Sequence, residues 1–274
     1  MVWNGLYQHG QGGIEIPTIK LQHSQLSDIQ KFNGHVYDAS RWVSDLSQIG
    51  VVVENSNDGE LIKKISEKYD HINVYLKKNE GVSSALNFAV QKVKTQYFLQ
   101  ISPDISFNFN DLKKFVEEAE KLENKFGALG PQYLNVDKKS HKQSNPKIAV
   151  APINFIHGSV MFINKKVFEA ISGFDENFFL YFEETDYCKR AKSKGFGCYQ
   201  INSIKVKNEG RSIKIEKDEE KKINNILAWH FIWSKFYYYK KHYGFVISIL
   251  FFSPIILRTI FKILLNLLLN NKDN

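Results

Sequence analysis

The stretch VVVENSNDGELIKKISEKYDHINVYL (residues 51–76) indicates the fold class. Its pattern predicts a short apolar strand, a turn, a helix and a second strand, one after another. Further apolar runs begin at positions 97 and 126, so successive strand starts lie 21 to 29 residues apart. This spacing is typical of βα units that build a mostly parallel sheet. Ligands bind such sheets beyond the carboxyl ends of the strands. We therefore expect an α/β domain whose first half, to about residue 130, binds a nucleotide.

The composition fits one large globular domain. Of 274 residues, 43% are hydrophobic and 24% charged, which excludes a disordered chain. Cys188 and Cys198 are too few for a disulfide framework and suggest a reducing compartment. The first residues lack the basic and apolar regions of a signal peptide. Neither GxGxxG nor a P-loop motif occurs, so a dinucleotide-binding fold and a P-loop are both unsupported. We expect a cytoplasmic protein.

The net charge of +8 is concentrated towards the C-terminus. Residues 1–188 contain 20 Lys and Arg against 23 Asp and Glu, whereas residues 189–274 contain 17 against 6. The basic segment includes the most apolar stretch of the chain, residues 245–269. This pairing suits an anionic membrane surface better than a nucleic-acid groove. We therefore expect a membrane surface, and no nucleic acid, among the partners.

The apolar stretch 245–269 is long enough to span a bilayer, but it carries a polar stripe. Arg258, Lys262 and Asn266 recur at every fourth position, on one side of a helix. This pattern favours an amphipathic helix that lies in the membrane interface. A spanning helix and a helix pair packed on the core are the alternatives. We expect residues 216–274 to form membrane-associated helices that hold the protein on the inner face of the cell membrane.

Three carboxylates at a predicted helix start are the densest group with chemical potential. HGSVMFIN (157–164) predicts a strand, and EETDYCKRAKSK (183–194) predicts a helix with acids at its beginning and bases at its end. The acids are Glu183, Glu184 and Asp186. They could simply stabilise the helix dipole, by about 0.3–1 kcal/mol each. They could also supply a general base.

An aromatic cluster before these acids favours the catalytic interpretation. Its members are Phe178, Phe179, Tyr181 and Phe182. Aromatic side chains that partly bury a carboxyl group raise its pKa, and a raised pKa makes the group a better base near neutral pH.

The same segment resembles a known family. HGSVMFINKKVFEAISGFDENFFLYFEETDYCKRAKSKGF (157–196) resembles the acceptor-side signature of bacterial family 2 glycosyltransferases, in their rhamnosyltransferase-like branch. VVVENSNDG (51–59), NEGVSSALN (79–87) and ISPD (101–104) are similar to the family's nucleotide-side motifs, and WHFIWSKFYYYKKHYG (229–244) is similar to its tail. The motifs occur in family order over about residues 48–244.

The resemblance implies a GT-A fold, with a Rossmann-like sheet flanked by helices, over residues 48–215. It implies inverting transfer of a sugar, rhamnose or another, from a nucleotide-sugar donor to a lipid-linked glycan acceptor in surface polysaccharide biosynthesis. Glu184 would be the general base, and Asp104 would hold Mg²⁺ or Mn²⁺ against the diphosphate. Arg190 would support the helix or the phosphates. The implied nucleotide-sugar residues are Glu54, Asn55, Asp58, Asn79, Gly81, Asn87, Arg211 and Ser212. The implied acceptor residues are Gly158, Asp175, Glu176 and Asp186.

The chain departs from the family pattern at several points. The base is Glu where the family usually has Asp, Asp104 is the single acid of its motif, and Asn208 stands where the family has His. Residues 1–47 lack the usual first strand, which IEIPTIKL (14–21) could replace. A degenerate, non-catalytic member that binds a nucleotide or a glycan is therefore the alternative to an enzyme.

Overall fold

The computed structural model describes residues 36–38, 50–54, 72–102, 105–108, 110–135, 143–208 and 217–270. Within these ranges the chain forms nine strands and six helices. In chain order they are β1 (Val36–Asp38), β2 (Gly50–Glu54), β3 (Ile72–Leu76), α1 (Val82–Lys92), β4 (Tyr97–Ile101), β5 (Ile105–Ser106), α2 (Asn110–Lys121), β6 (Phe126–Tyr133), β7 (Val150–Pro152), β8 (Val160–Asn164), α3 (Lys165–Ala170), α4 (Glu183–Ser193), β9 (Gly197–Asn208), α5 (Lys217–Tyr243) and α6 (Phe245–Asn270).

The strands form one sheet in the order β3-β2-β1-β4-β8-β6-β9-β5, with β7 also paired to β9. The α/β class is confirmed, but the expected mostly parallel sheet is wrong. Among the described strands only the β2–β3 and β6–β9 pairings are parallel, and the other six are antiparallel. The reason lies in two inserted strands. The predicted strands β2, β3, β4 and β6 share one direction, and β1 and β8 run oppositely between them.

Part of the predicted N-terminal segment 1–47 enters this sheet. β1 lies between β2 and β4, where Val36 is opposite Val51 on one side and Gln100 on the other. The possible strand over residues 14–21 lies outside the described residues. The domain boundaries expected at residues 48 and 216 stay predictions.

Two apolar cores cover the two faces of the sheet. Phe98 and Met161 face α1, α3 and α4, whereas Leu99 and Phe162 face α2. This alternation follows from the two-residue period of a strand. All four side chains are fully buried. The sheet centre, β4 and β8, is therefore the rigid platform whose ends carry the candidate site.

Helix α4 is held tightly against β6. Tyr187 is fully buried, and its hydroxyl donates a hydrogen bond of 3.0 Å to the carbonyl of Gly127. A β-carbon at Gly127 would lie only 2.6 Å from Cβ of Ala191, so glycine allows the close approach of helix and strand. The start of α4 is consequently fixed relative to the sheet.

Helices α5 and α6 form a hairpin. Gly244 separates them with a φ of 91°, a conformation that favours glycine. Phe236, eight residues before this turn, packs on Phe252, eight residues after it, with ring centroids 5.4 Å apart. The described part of the chain contains no helix that is both long and apolar enough to cross a membrane.

Candidate active site

Helix α4 begins in an unusual backbone conformation. Tyr181 and Phe182 both have left-handed φ values, 68° and 69°, which cost about 1–3 kcal/mol each in residues with side chains. The N-cap residue Phe182 makes no side-chain hydrogen bond to the helix. Its backbone carbonyl accepts a hydrogen bond of 2.8 Å from the amide of Asp186. The turn brings Glu183 and Glu184 to the amino end of the helix. Strain of this kind is characteristic of functional sites.

Glu183 and Glu184 form a desolvated carboxyl pair. Burial raises the pKa of Glu184 to about 7, although backbone hydrogen bonds and its contact with Glu183 act in the opposite direction. Burial, and then the charge of Glu184, raise the pKa of Glu183 well above its usual range. Within the described residues, neither Oε2 atom has a hydrogen-bond partner. Burial and the mutual repulsion of the two carboxylates therefore favour protonation of the pair, and Glu184 can gain or lose a proton near neutral pH.

The carboxyl end of β4 and the residues just before β8 lie beside this pair. Gln100 of β4 donates a hydrogen bond of 2.6 Å from Nε2 to the carbonyl of Gly158. A β-carbon on Gly158 would be 3.7 Å from Cβ and Cγ of Glu184, so the two residues are neighbours. The amide of Ser102 bonds the carbonyl of Ser159 at 2.7 Å, and the hydroxyl of Ser159 lies 2.6 Å from Nδ1 of His157. The structure thus brings Glu184 and the predicted Gly158 together at one sheet edge.

The predicted acceptor residues Asp175, Glu176 and Asp186 are bonded to other parts of the protein. Burial alone would raise the pKa of Asp175, but hydrogen bonds from Lys241 and Asn177 outweigh it and lower the pKa to about 2. Glu176 accepts from Nδ2 of an asparagine in α1 at 2.9 Å. Asp186 is fully buried among basic side chains of α4 and α5. Their acceptor-binding role stays a prediction.

Three predicted nucleotide residues can be located, and they organise the loop before α4. The side chain of Asn87 bonds both the amide and the carbonyl of Phe174 at 2.9 Å. Gly81 has a φ of 96°, and a β-carbon there would lie 2.6 Å from the carbonyl oxygen of Phe179. Asn79 accepts the amide of Gly81 at 3.2 Å. The NEGVSSALN segment therefore supports the loop over residues 172–182 that precedes α4, and its contact with a nucleotide stays a prediction.

The remaining predicted residues lie outside the described residues. They are Asn55, Asp58, Asp104, Arg211 and Ser212, together with the side chain of Glu54. The described residues contain no group of three or more His, Cys, Asp or Glu side chains that could hold a metal ion. The fit of Mg²⁺ or Mn²⁺ to this chain depends on Asp104 and stays a prediction.

Several residues of the site were not predicted. Gln100 is buried in the middle of an apolar strand, and no local pattern distinguishes it. Glu183 was expected only as one of several acids at a helix start. Lys241 and His242 reach Asp186 from 55 and 56 residues away, and the KKHYG tail motif was their one signal in the sequence.

Comparison with known proteins identifies the family. The model of Glycosyl transferase family 2 matches residues 44–189, more than half of the chain. The chain belongs to glycosyl transferase family 2. Sugar transfer is the activity of this family, and membership together with the observed α/β sheet gives the chain the GT-A architecture that the resemblance implied.

Individual relatives of this family 2 member are distant. The low-salt glycan biosynthesis hexosyltransferase of Haloferax volcanii is 24% identical over 68% of this chain and 69% of its own length. The rhamnosyltransferase WbbL of Escherichia coli is 24% identical over 55% of this chain and 69% of its own. An uncharacterized glycosyltransferase of Rickettsia typhi is 29% identical, and the match spans about half of each protein, 54% and 52%.

Among solved structures, a mannosyltransferase of Pyrobaculum calidifontis in complex with GDP-mannose and Mn²⁺ is similar, with a TM-score of 0.49 and 16% identity. The match covers 59% of this chain and 48% of that one.

Proposed function

We propose that the protein is an inverting glycosyltransferase that moves a sugar from a nucleotide-diphosphate donor to a lipid-linked glycan acceptor in surface polysaccharide biosynthesis. The carboxyl pair at the start of α4 carries the proposal. A carboxyl group that is desolvated beside a second carboxyl, with a pKa of about 7, can accept a proton at neutral pH. Buried structural acids are normally paired with cations, so two desolvated carboxyl groups side by side favour a catalytic role.

The reaction is a single displacement. The acceptor hydroxyl gives its proton to Glu184 as its oxygen forms a bond to the anomeric carbon of the sugar. The bond between that carbon and the diphosphate oxygen breaks on the opposite face, and the diphosphate leaves with the electron pair. The configuration at the anomeric carbon is therefore inverted, and no covalent enzyme intermediate forms.

The neighbours of Glu184 prepare it for this step. Burial favours the protonated form of Glu183, and a neutral Glu183 does not repel the Glu184 carboxylate. Gln100 and Gly158 hold the strand ends at a fixed distance from the base. A Mg²⁺ or Mn²⁺ ion at Asp104 would neutralise charge on the leaving diphosphate.

The donor is dTDP-rhamnose or another nucleotide sugar. Kinship with a rhamnosyltransferase and with a hexosyltransferase of glycan biosynthesis supports a sugar donor of this class. The proposed nucleotide-sugar contacts are Glu54, Asn55, Asp58, Asn79, Gly81, Asn87, Arg211 and Ser212.

The acceptor side involves a membrane surface, and we propose that the α5–α6 hairpin rests on the inner face of an anionic bilayer. Large apolar side chains point to solvent along both helices, and Leu250, Leu257 and Phe261 are each 65% exposed. The segment 189–274 carries 17 basic residues against 6 acidic ones. Apolar burial plus electrostatic attraction is the usual basis of interfacial binding.

Turnover of a nucleotide sugar by the full chain tests the proposed activity. Wild-type protein is incubated with dTDP-rhamnose, UDP-glucose or GDP-mannose, with and without Mg²⁺ or Mn²⁺, and release of nucleoside diphosphate is measured. We expect Glu184→Gln to lower the rate about 10²–10⁴-fold, the usual contribution of a general base. Glu169→Gln is the matched control, because the Glu169 side chain is 62% exposed on α3. Nucleotide binding without turnover of any donor, with or without a lipid-linked acceptor, would establish the non-catalytic alternative.

Vesicle binding tests the membrane contact separately. We expect the protein to sediment with phosphatidylglycerol vesicles and much less with phosphatidylcholine vesicles. The double change Leu250→Glu and Leu257→Glu should weaken this binding. Leu134→Glu, at a position that is 51% exposed at the end of β6, is the control. Equal binding of all variants to both vesicle types would contradict the membrane role.

A further inference from the structure

Lys241, in the last turn of α5, contacts two acids beside the site. Nζ of Lys241 lies 2.7 Å from Oδ2 of Asp175 and 2.7 Å from Oδ1 of Asp186. Asp175 belongs to the aromatic loop, which we define as residues 172–182, and Asp186 belongs to α4. The Lys241 side chain is 25% exposed, so the bridge is largely shielded from water. One ammonium group therefore joins three segments of the chain.

Asp186 is the centre of a wider network. Its side chain is fully buried and also contacts Nε of Arg190 at 2.6 Å and Nε2 of His242 at 2.8 Å. Arg190 continues to the carbonyls of Ile171 and Gly173, at the beginning of the aromatic loop. Lys189 adds a cation–π contact, because its Nζ lies 3.8 Å from the ring centroid of Tyr243. The network thus ties the end of α5 to both the loop and the helix.

Buried ion pairs add little net stability, because desolvation offsets most of the attraction. Their best-supported use is to fix one arrangement among several. The arrangement fixed here is the approach of the aromatic loop to α4, at the strained turn where Glu184 is placed. Asp186 lies two residues after Glu184, and its amide closes that turn onto Phe182. A shift of the network is therefore passed on to the base.

The aromatic loop also reaches α1 on its other side. Phe178 accepts a hydrogen bond of 2.8 Å from the hydroxyl of Ser83, and the carbonyl of Phe179 accepts the amide of Val82 at 2.8 Å. The rings of Phe178 and Tyr237 pack at 4.9 Å, which adds a contact between the loop and α5. The loop is thereby held between α1 and α5.

We propose that Lys241 is a positioning residue of the transferase, and that the end of α5 is a working part of the catalytic unit. Lys241 sets the distance between the aromatic loop and α4, and through α4 the position of Glu184. This role rests on the proposed function of Glu184 as the base. A misplacement of about 1 Å at a reacting group can lower a rate about 10²-fold. Loss of the bridge should therefore reduce turnover even in a folded protein.

The variant Lys241→Met tests the role and preserves the methylene contacts of the side chain. It leaves Asp186 with Arg190 and His242, and it leaves Asp175 with hydrogen bonds from Asn177 and Tyr237. Lys240→Met is the matched control, because the adjacent Lys240 is exposed. With whichever donor the wild type turns over, we expect Lys241→Met to lower kcat about 10-fold or more while KM for the donor changes less than about 2-fold. Lys241→Arg should restore most of kcat, and Lys240→Met should match the wild type.

Amide hydrogen exchange of peptides that cover residues 173–193 gives a second readout that needs no substrate. We expect faster exchange in this region for Lys241→Met, and unchanged exchange for Lys240→Met and Lys241→Arg. A lower melting temperature with unchanged kcat would reduce Lys241 to a stabilising residue and overturn the proposal. If the wild type turns over no donor, this result contradicts the proposed function, and hydrogen exchange then tests the positioning role separately. In that case, unchanged exchange in Lys241→Met overturns the positioning role, and faster exchange confined to residues 173–193 supports it.

Discussion

Two pairs of acids beside the same strained turn behave in opposite ways. Glu183 and Glu184 are desolvated next to each other, and burial raises both pKa values. Asp186 is fully buried and Asp175 is partly buried, but both contact basic side chains, and the pKa of Asp175 falls to about 2 although burial opposes this. The difference shows which acids can exchange a proton near neutral pH and which hold the structure together.

Removal of the paired acid should have the largest effect on folding. In Asp186→Asn the charges of Arg190 and Lys241 lose their common partner, and breaking a buried ion pair costs about 3–5 kcal/mol. We expect the free energy of unfolding in urea to fall by about that amount. Asp111→Asn, a change to an acid that contacts one lysine on α2, should cost less than about 1 kcal/mol. Equal losses of unfolding free energy in the two variants would show that the network around Asp186 stabilises the fold no more than a single surface ion pair does.

Removal of the unpaired acid should do the reverse. Glu184→Gln should abolish most turnover and yet raise the free energy of unfolding at pH 8. An acid whose pKa rises from 4.5 to about 7 on folding destabilises the folded state by about 3 kcal/mol once it is ionised, and the amide does not ionise. Urea unfolding at pH 8 and at pH 5 measures this. A gain at pH 8 that falls below about 1 kcal/mol at pH 5 is expected, and a loss of stability at both values would contradict the desolvated site.

These two acids also illustrate what sequence reasoning could and could not predict. The helix over 183–194 was predicted from its charge pattern, and α4 covers Glu183–Ser193. The strands that begin at 72, 97 and 126 were predicted at their observed first residues. Local periodicity determines such elements because each depends on neighbouring residues only. The contacts of Asp186 with Lys241 and His242 depend on how distant helices pack, which no local pattern records.

The sheet shows the same division. Four predicted strands share one direction, as the βα spacing required. The predicted parallel pairing was wrong because β1 and β8, which lie outside the repeating βα units, pair between these strands in the opposite direction. HGSVMFIN was predicted as a strand, but nothing in its composition states which neighbours it pairs with or in which direction. Strand order is a property of the whole chain, and the position of Gly158 beside Glu184 follows from it.

Stability and turnover measured as a function of pH distinguish the two pairs of acids. The folded pKa of Glu184 lies above its unfolded value, so its stability contribution is complete below pH 4.5 and is lost as the pH rises through about 7. The folded pKa of Asp175 lies below its unfolded value of 3.8, so its contribution is present above that pH and is lost as the pH falls through about 2. Turnover should rise with pH through about 7 as Glu184 ionises.

The free energy of unfolding, measured from pH 2 to 8 in the wild type and in Glu184→Gln, tests the opposite pH dependences expected for Glu184 and Asp175. The variant should lack the loss between pH 4.5 and 7 and keep the loss at acid pH. A wild-type turnover that is flat from pH 5 to 8 would show that Glu184 does not titrate as the base.

The smallest expected effect on stability comes from loss of the Tyr237 hydroxyl, which contacts Asp175. Tyr237 donates a hydrogen bond of 3.0 Å to Oδ2 of Asp175, which also accepts from Lys241. In Tyr237→Phe the carboxylate keeps Lys241 and Asn177, so the loss should be that of one hydrogen bond, about 1 kcal/mol. Thermal unfolding should show a decrease of about 2–4 °C. Tyr239→Phe is the control, because the ring of Tyr239 packs on Phe251 and remains in the variant. If both variants melt together, the hydroxyl of Tyr237 adds no stability to Asp175, and Lys241 is the side chain of α5 that stabilises this carboxylate.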